Sequence, residues 1–128
     1  MKVLLDTHTF LWWNMDAPQL SAKARDIIAS GRAEVFVSAA TAWEIAIKAH
    51  KGHLMLPASP EEYISERIAY YRFQALPVLI SHACWTFNLP DHHADPFDRL
   101  LIAQCQVENM VLLSADEHLK SYPVEVIW

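Results

Sequence analysis

Lys2-Val3-Leu4-Leu5-Asp6-Thr7-His8-Thr9-Phe10-Leu11-Trp12-Trp13 reads as a short apolar strand that stops on an acid and runs straight into an apolar helix. The same unit recurs. Glu34-Val35-Phe36-Val37 reads as a second strand, followed by a helix over residues 39–50 that carries Glu44, and Met110-Val111-Leu112-Leu113 is a strand followed by Ser114-Ala115-Asp116. Strands alternating with helices predict an α/β fold around a parallel sheet. In such a sheet the strand C-termini and the helix N-termini share one edge, where ligands bind.

Between these units, residues 21–30 form a helix with Ser21 as N-cap and Gly31 just past its end. Tyr63, Ile64, Ile68 and Tyr71 recur at helical spacing within 61–73. A third strand is expected at 76–79, a helix at 81–87, a polar loop at 89–94 and a helix at 95–108. A helical turn over 117–120 and a fifth strand at 124–128 complete the chain. No repeat, low-complexity tract or linker divides it, and its 128 residues predict a single domain over 1–128.

A hydrophobic fraction of 53% supplies a core, and only two glycines with ordinary charge argue against disorder. The net charge is −5, from 15 acids and 10 bases, which argues against a broadly basic nucleic-acid coat. Cys84 and Cys105 are too few for a disulfide framework or zinc knuckle and read as buried helix positions, in keeping with a reducing compartment. Asp6 interrupts the apolar start, so no signal peptide is read, and no apolar run reaches membrane-spanning length. The expectation is a cytoplasmic protein without membrane contact.

Five acids stand at element ends: Asp6, Glu44, Asp95, Asp98 and Asp116. Without them ten acids face ten bases, so the excess negative charge equals this set. Each has an ordinary explanation. Asp95-Pro96-Phe97-Asp98 places Asp at N-cap, Pro at N1 and an acid at N3 of a helix, Asp6 and Asp116 suit caps or turns, and Glu44 has Lys48 at i+4. Yet Glu44 is flanked by Trp43 and Ile45-Ala46-Ile47, where an unpaired carboxylate costs several kcal/mol, and all the segments map to one sheet edge.

Clustered carboxylates repel one another and call for a cation. Carboxylate and water oxygens suit Mg²⁺ or Mn²⁺. Such ions lower the pKa of water and offset charge on a phosphate; two of them roughly 3.5–4 Å apart stabilise both oxygens of an in-line displacement. At least one acid should then titrate above its usual value in the absence of metal. No Gly-rich phosphate loop or Walker lysine is present. His92-His93 are adjacent and diverge, with no second pair at zinc spacing. Lys48, Lys51 and Arg99 share elements with Glu44 and Asp98 and are the candidate phosphate contacts, their alternative being a solvated helix face. His8 and His118 lie beside candidate ligands. Trp12 and Trp13 cannot share one helix face, leaving one for a dimer or partner surface.

These motifs together resemble the PIN-domain ribonucleases, and more closely the VapC toxins of toxin–antitoxin modules. The resemblance rests on Leu4-Leu5-Asp6-Thr7-His8, Val37-Ser38-Ala39-Ala40 with Trp43-Glu44-Ile45-Ala46-Ile47-Lys48, Leu89-Pro90 with Asp95-Pro96-Phe97-Asp98-Arg99-Leu100-Leu101-Ile102-Ala103, and Leu112-Leu113-Ser114-Ala115-Asp116. It implies a three-layer α/β/α fold with a central parallel sheet of four to five strands, and Mg²⁺- or Mn²⁺-dependent cleavage of an RNA substrate. It also implies a homodimer, and a small VapB-like antitoxin whose C-terminal segment occludes the site. Asp6, Glu44 and Asp98 match the core acids, Asp116 the fourth, and Asp95 the extra acid of the Asp-Pro-Phe-Asp subgroup. Ser114 stands where the family commonly has threonine and keeps the hydroxyl.

Other classes fit less well. A haloacid-dehalogenase-type phosphoryl transferase needs a second Asp two residues after Asp6, where His8 stands. A response-regulator receiver needs paired acids after strand one and an Asp after a later strand. A non-toxin PIN-like RNA-processing or RNA-binding scaffold is the remaining alternative, and RNA cleavage with metal and with chelator separates it from an enzyme.

Overall fold

In the computed structural model, which describes residues 1–92 and 95–128, five parallel strands form one sheet in the order β3-β2-β1-β4-β5. They are β1 (Lys2–Leu5), β2 (Glu34–Ser38), β3 (Gln74–Leu76), β4 (Val111–Leu113) and β5 (Val126–Ile127). Six α-helices pack around them: α1 (Thr7–Asn14), α2 (Ala22–Ala29), α3 (Ala39–His50), α4 (Pro60–Tyr71), α5 (Ile80–Trp85) and α6 (Pro96–Glu108). His93 and Ala94, part of the histidine pair and the polar loop read from the sequence, lie outside the described residues.

Alternation along β1 builds the three layers. Val3 and Leu5 point to one face, where they meet Phe10 and Leu11 of α1, Ala24 and Ile28 of α2, and Tyr63 and Ile64 of α4. Leu4 points to the other, among Leu101, Ile102 and Cys105 of α6 with Leu112, Leu119 and Tyr122. Helix α3 serves both, Ile45 on the first side and Ala40 on the second.

Side-chain caps set the helix starts. Ser21, Ser38, Ser59 and Asp95 each accept a backbone N–H of the first turn of α2, α3, α4 and α6, and Asp6 does the same for α1. Gly31, at φ +71°, takes the left-handed conformation expected after α2.

The third strand comes earlier than its expected 76–79. Arg72 ends α4 in the left-handed region, Phe73 is buried with its N–H on Ile68 O at 3.0 Å, and the chain is extended at once. Pro77 has no N–H to continue the ladder. The fifth strand is likewise shorter than expected, two residues paired with Leu112 and Leu113.

A buried polar line crosses the second layer. Ser38 Oγ donates to Gln104 Oε1 at 2.6 Å, and Gln104 Nε2 donates to Pro77 O at 3.2 Å. Wholly buried His82 accepts from Leu79 N–H at Nδ1, 3.0 Å, so its proton sits on Nε2, 2.7 Å from Glu108 Oε2. His82 faces inward on α5, which turns Cys84, two residues on, to the surface, whereas the sequence placed both cysteines inside. Cys105 is buried, and burial pushes its thiol up to about 12. Among the described residues, no helix is long and apolar enough to cross a membrane.

Candidate active site

The register places the ends of the central strands level. Leu5 pairs with Val37 on one side and Leu113 on the other, so Asp6, Ser38 and Ser114 follow in line along one edge. From β1 the chain builds outward to β2 and β3, then returns to place β4 on β1's other side. The β1–β4 boundary is therefore where the winding reverses, and a crevice opens there in sheets of this kind. A cleft of about 280 Å³ lies at this point.

All five acids line it: Asp6, Glu44, Asp95, Asp98 and Asp116, with Thr7, His8, Trp12, Lys48 and Ala115. They come from the ends of β1 and β4, the middle of α3 and the start of α6. A larger hollow of about 430 Å³ against α2, lined by Met1, Ile27 and Ala33 among others, has little polar surface and none of these groups.

Asp6 is the most enclosed of the acids, 6% exposed. Its Oδ1 accepts Thr9 N–H at 2.8 Å and its Oδ2 accepts the Ser114 hydroxyl at 2.5 Å. Burial raises its pKa above the usual carboxylate range, against the lowering effect of the Ser114 and Thr9 hydrogen bonds and of His8. The sequence argument located such a shift in repulsion between acids; here its source is removal from water.

Glu44 is buried too, and both of its oxygens are engaged. Thr7 Oγ1 donates to Oε1 at 2.7 Å and lies 3.2 Å from the Thr41 hydroxyl, while Lys48 Nζ lies 2.7 Å from Oε2. The i,i+4 partner that suggested a surface glutamate thus accompanies it into the cleft.

Asp95 is a helix cap as well as a cleft residue: its Oδ1 accepts Phe97 N–H at 2.8 Å and Asp98 N–H at 3.2 Å. Asp98, in the first turn of α6, is half-buried. Asp116 accepts His118 N–H at 2.9 Å, with His118 Nδ1 at 3.1 Å from the same oxygen, and its own N–H donates to Ser114 Oγ.

The candidate phosphate contacts divide. Lys48 lines the cleft. Lys51, exposed at the end of α3, does not. Arg99 turns away from it: its guanidinium donates to the carbonyls of Pro90, Thr86 and Leu89 and to Tyr122 Oη, at 2.8–3.3 Å. It clamps the 86–91 segment through that segment's carbonyls, a role that position beside Asp98 did not reveal. Trp12 and Trp13 both pack inside the chain, Trp12 against His8 and Trp128 and Trp13 against Tyr71. Thr7 was not singled out from sequence; its place one residue after Asp6, at the start of a helix facing α3, was the available signal.

The donor set suits a hard divalent cation, being carboxylate oxygen throughout, and buried Asp6 has hydrogen-bond donors but no ion-pair partner among the described residues. As placed, no three acidic, histidine or cysteine side chains among the described residues converge closely enough to hold a metal. The Lys48 ammonium lies 2.7 Å from Glu44 Oε2, on the carboxylate that a cation would take.

The model of the PIN domain matches residues 3–125. The chain belongs to the PIN domain family. PIN domains are nucleases, a class of hydrolase. No curated protein matches the chain by sequence. Among solved structures, this PIN domain is similar to a chain of VapBC2 from Rickettsia felis bound to a DNA fragment from its promoter (TM-score 0.75, 13% identity, covering 100% of this chain and 99% of that one). It is also similar to a chain of FitAcB from Neisseria gonorrhoeae (0.69, 18% identity, 98% and 96% covered) and to the PIN domain endonuclease Utp24 (0.51, 14% identity, 93% and 74%). At these identities the likeness establishes the three-layer fold that the five strands and six helices already display.

Proposed function

We propose that the protein is a Mg²⁺- or Mn²⁺-dependent endoribonuclease and the toxin of a toxin–antitoxin pair. One observation carries the reading: five carboxylates from four separate segments line a single cleft at the reversal point of the sheet. Several of the structures with this fold are of toxin–antitoxin complexes, which supports a VapB-like antitoxin as partner. The exposed apolar run Val78, Leu79, Ile80, Trp85 and Phe87 supports a homodimer.

In this reading Asp6, Glu44, Asp98 and Asp116 are the residues that would hold the cation, and Asp95 shapes the start of α6 beside them. When bound, the ion supplies charge stabilisation at the phosphate and a more acidic water. The chain's own groups supply position. Thr9 and Ser114 fix both oxygens of Asp6, and Thr7 fixes Glu44. Lys48 pairs with Glu44 and lines the cleft, where it can meet an incoming phosphate.

The test is cleavage of an RNA pool by the purified protein with Mg²⁺ or Mn²⁺ and with chelator. Metal-dependent cleavage that falls by orders of magnitude in Asp98→Asn supports the reading. Binding without cleavage by the wild type overturns it in favour of an RNA-binding scaffold.

A further inference from the structure

Trp43 leaves 62% of its surface exposed on a helix whose neighbouring residues Ala40, Thr41, Glu44 and Ile45 are buried. The ring of Phe97 meets it edge-on, with centroids 5.2 Å apart and planes at 71°. This pair bridges α3 and α6. Trp43 directly precedes Glu44 and Phe97 directly precedes Asp98, so the two rings stand on the same two helices that bring these acids to the cleft. Successive helix residues point about 100° apart, which sets the indole beside the acids rather than over them. An indole held on one side and open elsewhere is a flat apolar surface at the margin of a polar cleft. Its burial would be favourable, and folding does not provide it.

A ligand whose phosphodiester lies among the acids carries its own flat π surface one sugar away. We propose that Trp43, braced by Phe97, is a stacking platform for an unpaired nucleobase next to the scissile phosphate. The proposal rests on the nuclease reading of the cleft. Bases inside a duplex are already stacked and paired, whereas those in loops and ends can be splayed onto an aromatic ring. Because every base has a π face, the platform selects strandedness more than sequence. Further along α3, His50 lies seven residues from Trp43, two turns on the same face, with exposed Lys51 next to it, so the strand leaving the platform meets basic groups.

The experiment measures anisotropy of a labelled single-stranded oligoribonucleotide in chelator, alongside its duplex and the same strand with abasic positions. Single-turnover cleavage with Mn²⁺ follows on the same strand. Expected are a loss of single-strand affinity of about tenfold or more in Trp43→Ala, near-full retention in Trp43→Phe, and no change in Tyr70→Ala, another exposed aromatic. Saturated cleavage should change less than affinity. Wild-type affinity unchanged in Trp43→Ala, equal binding of duplex and single strand, or a Trp43→Ala defect confined to binding of a protein antitoxin would each overturn the proposal. If Asp98→Asn abolishes cleavage, the nuclease reading stands whichever way Trp43→Ala falls. A wild type that binds through Trp43 yet cleaves nothing overturns only the nuclease reading.

Discussion

Ser114 and Asp6, 108 residues apart, are joined on the floor of the cleft by the Ser114 hydroxyl, which donates to Asp6 Oδ2. Ser114 Oγ also accepts the N–H of Asp116, so one buried side chain ties the ends of β1 and β4 together and sets the separation of two acids. Ser114→Ala leaves a buried carboxylate and a backbone N–H each short of a partner. The expected cost is about 1–3 kcal/mol in urea denaturation, and Ser114→Thr, which keeps the hydroxyl, should cost less. Equal stability of wild type and Ser114→Ala would show that the bond contributes nothing.

Asp6 makes the metal-free protein sensitive to pH in a definite direction. Its folded pKa is raised by burial, so the stability tied to this group is present when the carboxyl is protonated and is lost as pH rises through the folded value. Asp6→Asn should therefore melt a few degrees higher than wild type at neutral pH in chelator, with the gain shrinking as pH falls from the raised folded value toward the unfolded one. Saturating Mn²⁺ should raise the melting temperature of the wild type more than that of the variant. A variant less stable than wild type at neutral pH in chelator would contradict this account.

Asp95 separates capping from chemistry. Its two accepted N–H bonds predict a loss of about 0.5–2 kcal/mol in Asp95→Ala and little loss in Asp95→Asn, whose amide oxygen still caps. Cleavage by Asp95→Asn then reads the carboxylate's charge alone. Activity equal to that of Asp91→Asn, a change at a fully exposed loop acid, would make Asp95 a cap only.

Arg99 should behave as a structural residue. Arg99→Met removes the donor that the Pro90, Thr86 and Leu89 carbonyls and the Tyr122 hydroxyl share, and is expected to cost about 2 kcal/mol or more. RNA affinity of the folded protein should stay unchanged. A stable variant with weakened RNA binding would return Arg99 to the substrate path.

Local signals made much of this legible. The run Lys2–Leu5 and its acid, and the apolar helix opened by Asp95-Pro96, need only pattern and cap chemistry to be read, and parallel pairing then brings Asp6 and Asp98 to one cleft. What failed to show was decided by partners distant in sequence. The third strand starts where Arg72 breaks α4, Cys84 is exposed because His82 takes the inward position, and Arg99 follows the carbonyls of a loop. Capping and chemistry also proved compatible, since Asp6 and Asp95 cap helices and line the cleft with the same carboxylates.

The Ser38–Gln104 hydrogen bond sits at the first residue before α3 and midway along α6, in the dry layer beneath the sheet. Glu44 and Asp98 ride on those two helices, each about one and two-thirds turns from that joint. The gap between the two acids is thus gauged from inside, as the tips of calipers are gauged by their pivot. A change at Gln104 would alter the span across the cleft without touching a single group that faces it.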